Sequence, residues 1–227
     1  MRPLAESFFN PLFGNCRGLS KQSPIIRVNG QLHAPGNFSD SSTSGFPSAP
    51  RSMVSSKTST MPPTPISEKD FRETLGHFVT GVTVVTAERA PGQVHGMTAN
   101  AFASVSLHPP LVLVCVDHRA RLLSVLKENR HFGVSVLKVN QEAWSEYFAK
   151  GTLDAAAEER LGIRYRRMQK GVPVIDGTLA QLACTIVASH LSGDHTIFVA
   201  EVDAAEVHSG EPLLFFRGEY RQVARQR

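Results

Sequence analysis

Small and hydroxyl-bearing side chains crowd one stretch of the chain, residues 96–110, which reads GMTANAFASVSLHPP. Hydroxyl and amide groups offer neutral hydrogen-bond partners there, and the small residues allow a ligand to approach the backbone closely. This pattern fits an uncharged cradle for a planar ligand that bears a phosphate. The alternative is a strand that serves only the fold, with Phe102, Val105 and Leu107 packed in the core.

A second stretch, residues 192–198 (SGDHTIF), places a histidine where a glycine turn enters a predicted strand. Asp194 directly precedes His195, so its carboxylate can cap the turn while the imidazole points into a cleft. His195 is therefore a candidate functional residue. The alternative is an ordinary surface histidine, one of the nine histidines in the chain.

Motifs of several common enzyme classes are missing from the sequence. It contains no GxGxxG after a strand, no P-loop motif, no HExxH and no GxSxG, which argues against dinucleotide-binding Rossmann folds, P-loop enzymes, zinc proteases and serine hydrolases. Its three cysteines, Cys16, Cys115 and Cys184, form no CxxC pair. We therefore expect neither a disulfide framework nor a metal site, and the cysteine usage predicts a reduced, cytoplasmic protein.

The net charge of +4 comes from the first 66 residues, so the remainder is neutral. No basic patch interleaved with aromatic residues occurs in that remainder, and nucleic-acid binding is not expected. The longest apolar run, residues 111–116, is far shorter than the roughly 20 residues that a membrane-spanning helix needs. A membrane protein is not expected either.

Residues 1–66 hold nine of the 14 prolines and are rich in serine. Such a segment buries too little apolar surface to offset its ordering entropy, so we predict a disordered Ser/Pro-rich leader. Its purpose stays open. It partly resembles an organellar transit peptide, which would change the predicted location, and the alternative is an upstream start with Met53 or Met61 as the true beginning.

The folded domain is predicted to occupy residues 67–227 and to consist mainly of strands. Ser67 begins a helix of about ten residues, with Phe71, Leu75 and Phe78 on one apolar stripe, and Thr80 and Gly81 are predicted to end it. The turn at Pro91 predicts a hairpin between two β-rich runs. Further strands are predicted at 111–116 (buried on both faces), 132–137, 179–189, 196–207 and 213–216, and short helices at 120–129, 141–150 and 153–161. Six or seven strands with helical inserts favour a closed antiparallel barrel, because closure removes sheet edges.

The order of several motifs resembles the flavin reductase family, which has the FMN-binding split-barrel fold. These motifs are GVTVVT, GMTANAFASVSLHPPLVLVCV, FGVSVL, GDHTIF and PLLFFRGEY, and the resemblance spans residues 68–222. It implies a homodimeric split β-barrel that accepts hydride from NADH or NADPH, reduces FMN or FAD, and supplies the reduced flavin to a partner monooxygenase. A flavin-binding module that acts as a store or redox sensor is the alternative.

The resemblance also implies roles for individual residues. His195, with Gly193 and Asp194, would meet the nicotinamide, and Tyr220 would lie near the same cleft. Ala120 and Arg121 would approach the phosphate, and Tyr147 and Phe148 would close over the flavin tail. The ring and ribityl chain would contact Gly96, Met97, Thr98, Ala99, Asn100, Ala101, Ser104, Ser106, Val114, Cys115 and Val116. Ser135 departs from the asparagine that is frequent at its position, and Cys115 is expected to be a buried, inert thiol.

Overall fold

A computed structural model of the chain describes residues 65–151 and 153–224. The predicted leader, residues 1–66, lies outside the described residues except for its last two positions. The helices of the described part are α1 (Glu68–Gly76), α2 (Leu122–Glu128), α3 (Glu142–Ala149) and α4 (Ala155–Arg160). Its strands are β1 (Thr80–Gly81), β2 (Thr83–Ala90), β3 (Gln93–Ala99), β4 (Phe102–Leu107), β5 (Pro110–Asp117), β6 (His131–Val136), β7 (Tyr165–Arg167), β8 (Pro173–Ile175), β9 (Ala180–Ser192), β10 (His195–Val207), β11 (Leu214–Phe216) and β12 (Glu219–Arg221).

Seven strands form the main antiparallel sheet, in the order β3-β2-β6-β9-β10-β5-β4. The prediction of a mainly β fold with a few short helices is therefore confirmed. The two edge strands, β3 and β4, are consecutive in the chain and are separated by Asn100 and Ala101 alone. Among the described residues no ladder of hydrogen bonds joins these edges, so a closed barrel remains a prediction.

The first helix confirms the predicted start but not the predicted end. The backbone N–H of Asp70 donates to Ser67 Oγ at 3.1 Å, which caps the helix as its sequence indicates. The helix ends at Gly76 rather than near Thr80, because Thr80 and Gly81 pair with β11 as strand β1. The apolar stripe of this helix is not buried within the single chain, since Phe78 is 70% exposed.

Two hydrophobic clusters form the core. The first lies against the main sheet, where Leu122, Leu123, Val125 and Leu126 of α2 pack on residues of β2, β5 and β6. The second is built from residues of β2, β8, β11 and α3 and of the segments between elements. Because α2 and α3 each pack against one cluster, they fix the surroundings of β3 from two directions.

Strand β5 is buried on one face only. Val112, Val114 and Val116 lie in the first cluster, whereas Leu113 and Cys115 on the other face are half-buried. The prediction that residues 111–116 are buried on both faces is therefore wrong for the single chain. Continuous hydrophobicity marks two apolar faces, but it does not show what covers the second one.

None of the helices in residues 65–151 and 153–224 has both the length and the apolar character that crossing a membrane requires.

Candidate functional site

Helix α3 packs directly on β3 at Gly96. A Cβ atom on Gly96 would lie 2.5 Å from two ring carbons of Phe148, so only glycine permits this approach. Two residues farther along, Thr98 Oγ1 donates to the carbonyl of Ser145 at 2.6 Å. Tyr220 Oη donates to Ser145 Oγ at 2.9 Å. We call these contacts the α3 seam.

The two residues between β3 and β4 form a second environment, which we call the junction. Its backbone is held on both sides, because Ala99 O accepts from Thr83 Oγ1 at 2.6 Å and Ala101 O accepts from Cys115 N at 3.0 Å. Asn100 is 8% exposed, and neither Oδ1 nor Nδ2 of its side chain has a hydrogen-bond partner among the described residues. A buried amide without partners costs about 1–3 kcal/mol, so the junction is suited to a ligand that hydrogen-bonds Asn100.

The other predicted contacts on β3 and β4 differ in accessibility. Met97 is half-buried against the first cluster. Ser104 is exposed, so its hydroxyl is open to solvent. Ser106 is half-buried, and its Oγ accepts from His108 N at 3.2 Å in the turn before β5. Of the two predicted serines, Ser104 is therefore the one whose hydroxyl makes no hydrogen bond within the described residues.

Strand β5 presents only one of its three predicted contacts. Val114 and Val116 are fully buried in the first cluster, so their side chains serve the core. Cys115 is half-buried on the opposite face, and burial raises the pKa of its thiol. A raised pKa keeps the thiol protonated near neutral pH, in agreement with an inert cysteine.

Arg121 lies at the start of α2 and lines a cavity of about 360 Å³. Its Nη1 donates to the carbonyl of Gly151 at 3.1 Å, which holds the exposed guanidinium beside the loop after α3. Ala120, the neighbouring predicted contact, packs against the first cluster. The cavity is also lined by residues that the sequence analysis missed, namely Arg89, His95, Ser124, Val125 and Leu153.

Tyr147 and Phe148 are both buried and connect α3 to its neighbours. Tyr147 Oη donates to Glu158 at 3.0 Å and accepts from Asp154 N at 3.0 Å, which ties α3 to α4. Burial raises the pKa of Tyr147 to about 12. The rings of Tyr147 and Phe148 meet edge to face at 5.0 Å. In the structure these side chains therefore have packing roles.

The turn between β9 and β10 carries His195. Gly193 adopts a φ of +62°, which glycine tolerates best and which lets the two long strands reverse direction. The ring of His195 is buried, and its Nδ1 lies 2.7 Å from Oδ1 of Asp194, whose side chain is 78% exposed. This hydrogen bond lowers the pKa of Asp194, so the carboxylate is ionised and accepts the proton on Nδ1.

The end of β5 lies beside this turn and brings charged residues that the sequence analysis did not single out. His195 is in register with Asp117, and His118 N donates to Asp194 O at 2.9 Å. The guanidinium of Arg119 donates two hydrogen bonds to Asp117, at 3.1 and 2.7 Å, and its backbone N–H donates a third at 2.7 Å, which together lower the pKa of that carboxyl. These neighbours could be found only from the pairing of β5 with β10.

Tyr220 packs beside β11 and α3. It lies in the second cluster, where its ring meets Phe215 at 5.6 Å and its hydroxyl contacts α3. His195 belongs to β10, whose buried Phe198 lies in the first cluster. The meeting of Tyr220 and His195 in one cleft stays a prediction.

Comparison with known proteins matches residues 75–224 to the family described as flavin reductase like domain. The chain belongs to the flavin reductase family.

Relatives of this flavin reductase domain are similar over most of their own length. An NADH-dependent flavin reductase of a Rhodococcus species is 44% identical over 155 residues, which covers 67% of this chain and 85% of that protein. The reductase component of 4-hydroxyphenylacetate 3-monooxygenase from Thermus thermophilus is 41% identical and covers 67% and 95%. The solved NADH:FAD oxidoreductase of Streptomyces globisporus C-1027 has a TM-score of 0.65 and 37% identity, and the match covers 72% of this chain and all of that one.

The flavin reductase domain thus offers three separate polar features. The junction holds the unpartnered Asn100, the first turn of α2 opens on the cavity beside Arg121, and the β9–β10 turn carries the Asp194–His195 pair. A flavin needs polar partners for its ring and ribityl hydroxyls and positive charge for its phosphate. The neutral amide at the junction and the guanidinium at the cavity have the required chemistry, so the residues present fit a flavin.

Proposed function

We propose that this chain is an NAD(P)H-dependent flavin reductase that transfers hydride from NADH or NADPH to FMN or FAD. The buried, unpartnered amide of Asn100 carries the assignment, because a chain that binds nothing at the junction gains no benefit from that cost. Family membership and the names of the relatives support it. When bound, the two cofactors supply the hydride donor and acceptor, and the protein binds and orients them.

Asn100 and the backbone of the junction would hold the ring of the flavin, while Gly96 and Thr98 fix this segment of chain against α3. The carbonyls on either side of Asn100 are already bonded to Thr83 and Cys115, so the junction is rigid before a ligand arrives. Rigid placement matters because hydride transfer requires the two rings to stack at reactive distance. Ser104, Cys115 and Arg121 complete the proposed contacts on the accessible side.

His195 would position the nicotinamide and stabilise the negative charge that the flavin gains on reduction. Asp194 accepts the Nδ1 proton of His195, which fixes the tautomer and the orientation of the ring. Because Asp194 itself is exposed and ionised, it acts through His195. We regard His195 as the catalytic residue and Asp194 as a positioning residue.

A large oxygenase subunit is the proposed recipient of the reduced flavin, as the names of several relatives as monooxygenase reductase components support. We also propose a homodimer in which the half-buried outer faces of β5 and β10 meet. Leu113 and Val199 are cross-strand partners on this face, and both are apolar and half-buried. A second copy of the chain would cover the outer face of β5, which the continuous apolar run of residues 111–116 predicts to be buried.

The finer architecture that we propose is a split β-barrel, formed by residues 67–227, in which the chain passes from one edge of the sheet to the other through the junction. The order of strands supports this architecture. Strands β3 and β4 lie at opposite edges of the main sheet, yet only two residues separate them in the chain. For location we propose the cytoplasm, which the free thiols of Cys115 and Cys184 support.

The deciding experiment mixes the full chain anaerobically with FMN or FAD and then with NADH or NADPH, while flavin bleaching and nicotinamide oxidation are followed together. Catalytic bleaching is expected. If flavin bound stoichiometrically and neither nicotinamide bleached it, the proposed reductase activity would be wrong, and the alternative of a flavin-binding store or redox sensor would be favoured.

The role of His195 is tested in the same assay. His195→Ala should lower kcat/KM for the nicotinamide about tenfold to a hundredfold and leave flavin affinity unchanged. His190→Ala, on the exposed part of β9, is the matched control and should behave as wild type. Unchanged turnover in His195→Ala would remove this residue from the mechanism.

A further inference from the structure

The turn that carries His195 lies at the end of a long hairpin. Register pairs between β9 and β6 end at Thr185, so the last residues of β9 before the turn lie beyond this pairing. Leu191 is 79% exposed, and residues 192–194 are exposed as well. On the other side of the hairpin, β10 pairs with β5 as far as His195 and Asp117. The end of β5 therefore supports the turn from outside the hairpin.

His118, the first residue after β5, contacts the residues on both sides of His195. Its backbone N–H donates to the carbonyl of Asp194 at 2.9 Å. Its ring Nε2 lies 3.2 Å from Oγ1 of Thr196, which is 2% exposed. Successive side chains of a strand point to opposite faces, so Thr196 and His195 occupy opposite faces of β10. The ring of His118 therefore braces the start of β10 from the face opposite to the ring of His195.

The residues that flank His118 hold its backbone in place. The backbone N–H of Arg119 donates to Oδ1 of Asp117 at 2.7 Å, which closes an Asx-type turn around His118. The guanidinium of Arg119 also bonds both carboxylate oxygens of Asp117, at 3.1 and 2.7 Å. His118 is itself exposed, yet it reaches across to the hairpin. An exposed histidine that its neighbours hold in place and that bonds a second element is arranged to position that element.

We propose that His118 is a positioning residue for His195 in the reaction with the nicotinamide. The inference rests on the proposed function, since it names a residue that sets the place of the proposed catalytic histidine. His118 acts through the strand, because it holds the carbonyl of Asp194 and the hydroxyl of Thr196 while the backbone of His195 lies between them. Placement matters for hydride transfer, since a shift of about 1 Å can cost about 100-fold in rate.

The kinetic test removes the ring contact and keeps the backbone contact. His118→Leu should lower kcat/KM for the nicotinamide about fivefold, mainly through a higher KM, while flavin affinity changes less than about twofold. A loss of folded protein alone would lower kcat and leave KM unchanged, so KM separates positioning from stability. His118→Gln keeps a polar group that can reach Thr196, and its KM should lie within about twofold of wild type.

His131→Leu is the matched control. His131 Nδ1 lies 3.0 Å from Oγ1 of Thr185, a similar contact of a histidine ring with a threonine hydroxyl, but one that joins β6 to β9. Its loss should change the free energy of unfolding and leave KM for the nicotinamide unchanged. A wild-type KM in His118→Leu, or an equal rise of KM in both leucine variants, would overturn the proposal.

A double variant tests whether His118 acts through His195. When His195→Ala is already present, His118→Leu should change kcat/KM no further, because residues that act as one unit are not additive. A further loss of about fivefold in the double variant would show that His118 acts by another route, and the proposal would then be wrong.

Hydrogen exchange of the chain without cofactors tests the positioning apart from catalysis. In His118→Leu the amides of residues 193–197 should exchange at least about threefold faster than in wild type, whereas His131→Leu should leave them unchanged. If wild type oxidised neither NADH nor NADPH with either flavin, the reductase would be contradicted, and faster exchange would still support His118 as the brace of the turn. Catalytic turnover with unchanged KM and unchanged exchange in His118→Leu would keep the reductase and overturn this inference.

Discussion

The α3 seam and the junction involve neighbouring residues of one segment of chain, 96–101. The polar side chain at the seam has a hydrogen-bond partner within the chain, whereas the one at the junction has none among the described residues. Gly96 and Thr98 lie on the same face of β3, because side chains two residues apart in a strand share a face, and Asn100 directly follows the strand. At the seam, α3 fills the space over Gly96 and takes the hydroxyl of Thr98. At Asn100 nothing in the described residues takes the amide.

This difference separates residues that build the site from residues that use it. A buried polar group that has a hydrogen-bond partner within the chain stabilises the fold. A buried polar group without such a partner lowers stability until a ligand forms the hydrogen bond. Substitutions at the seam should therefore change the free energy of unfolding. Substitutions at the junction should change flavin affinity instead.

The largest effect is expected from Gly96→Ala. Its Cβ would overlap two ring carbons of the buried Phe148, so the helix or the ring must shift, and the free energy of unfolding should fall by about 2–3 kcal/mol. Urea unfolding of the ligand-free chain measures this loss. Gly81→Ala is the matched control, since its Cβ meets nothing within 4 Å, and it should be neutral or slightly stabilising. Similar values for the two variants would show that the seam is loosely packed.

Asn100→Leu should have the next largest effect, on binding rather than on stability. Removal of an unsatisfied amide should leave the free energy of unfolding of the ligand-free chain unchanged or raise it, while flavin affinity should fall at least tenfold, about 1.4 kcal/mol. Fluorescence quenching and urea unfolding measure the two quantities on one preparation.

Asn129→Leu is the matched control for Asn100→Leu. The side chain of Asn129 donates to the carbonyl of Glu88 at 2.7 Å, so its loss should destabilise the chain and leave flavin affinity unchanged. If Asn100→Leu behaved like Asn129→Leu, the distinction between junction and seam would be lost.

Local signals explain which parts of this fold could be predicted from sequence. Ser67 caps α1 through a contact three residues away, and the hairpin around Pro91 depends on neighbours in the chain. The seam could not be predicted, because Gly96 and Phe148 are 52 positions apart and their contact depends on tertiary packing. Ser135 is similar: its Oγ accepts from Ile175 N at 2.9 Å, so the departure from the family pattern has a structural use.

The motifs of the candidate site could be predicted from the sequence. Which of their residues are free to bind a ligand and which are already bonded within the chain could not. The residue types of 96–106 indicate a hydrogen-bonding cradle, yet sequence alone does not show that Thr98 is already bonded while Asn100 is not. The cavity was missed because Arg89 and His95 come from β2 and β3, whereas Arg121 and Ser124 come from α2. Residues that are scattered along the chain leave no motif.

Thr98→Val tests the comparison of seam and junction through a smaller expected change in the free energy of unfolding. The substitution keeps the shape of the side chain and removes the hydrogen bond to Ser145, so the free energy of unfolding should fall by about 1 kcal/mol. Thr80→Val is the control, because the buried hydroxyl of Thr80 has no partner in the described residues and its loss should be neutral or stabilising. A loss of flavin affinity larger than the loss of stability would move Thr98 from the seam to the binding residues.

The smallest effect, and the only one with a pH dependence, is expected for Tyr220→Phe. Loss of the hydrogen bond to Ser145 Oγ should lower the free energy of unfolding at pH 8 by about 0.5–1 kcal/mol. Burial raises the pKa of Tyr220 from 10.0 to about 12. Its contribution to stability is therefore fully present below pH 10 and is lost as the pH rises toward 12, because the unfolded chain loses the phenolic proton first.

The stability advantage of wild type over Tyr220→Phe should accordingly shrink above pH 10 and reverse before pH 12, because two pKa units correspond to about 3 kcal/mol, more than the deficit at pH 8. The other tyrosines are common to both proteins, so their ionisation cancels in this difference. Urea unfolding at pH 8, 10 and 11.5 measures it, with Thr98→Val as the reference, since that variant changes no ionisable group and its deficit should stay constant. A Tyr220→Phe deficit that is equally constant would mean that the phenol is open to solvent, and it would place Tyr220 outside the seam.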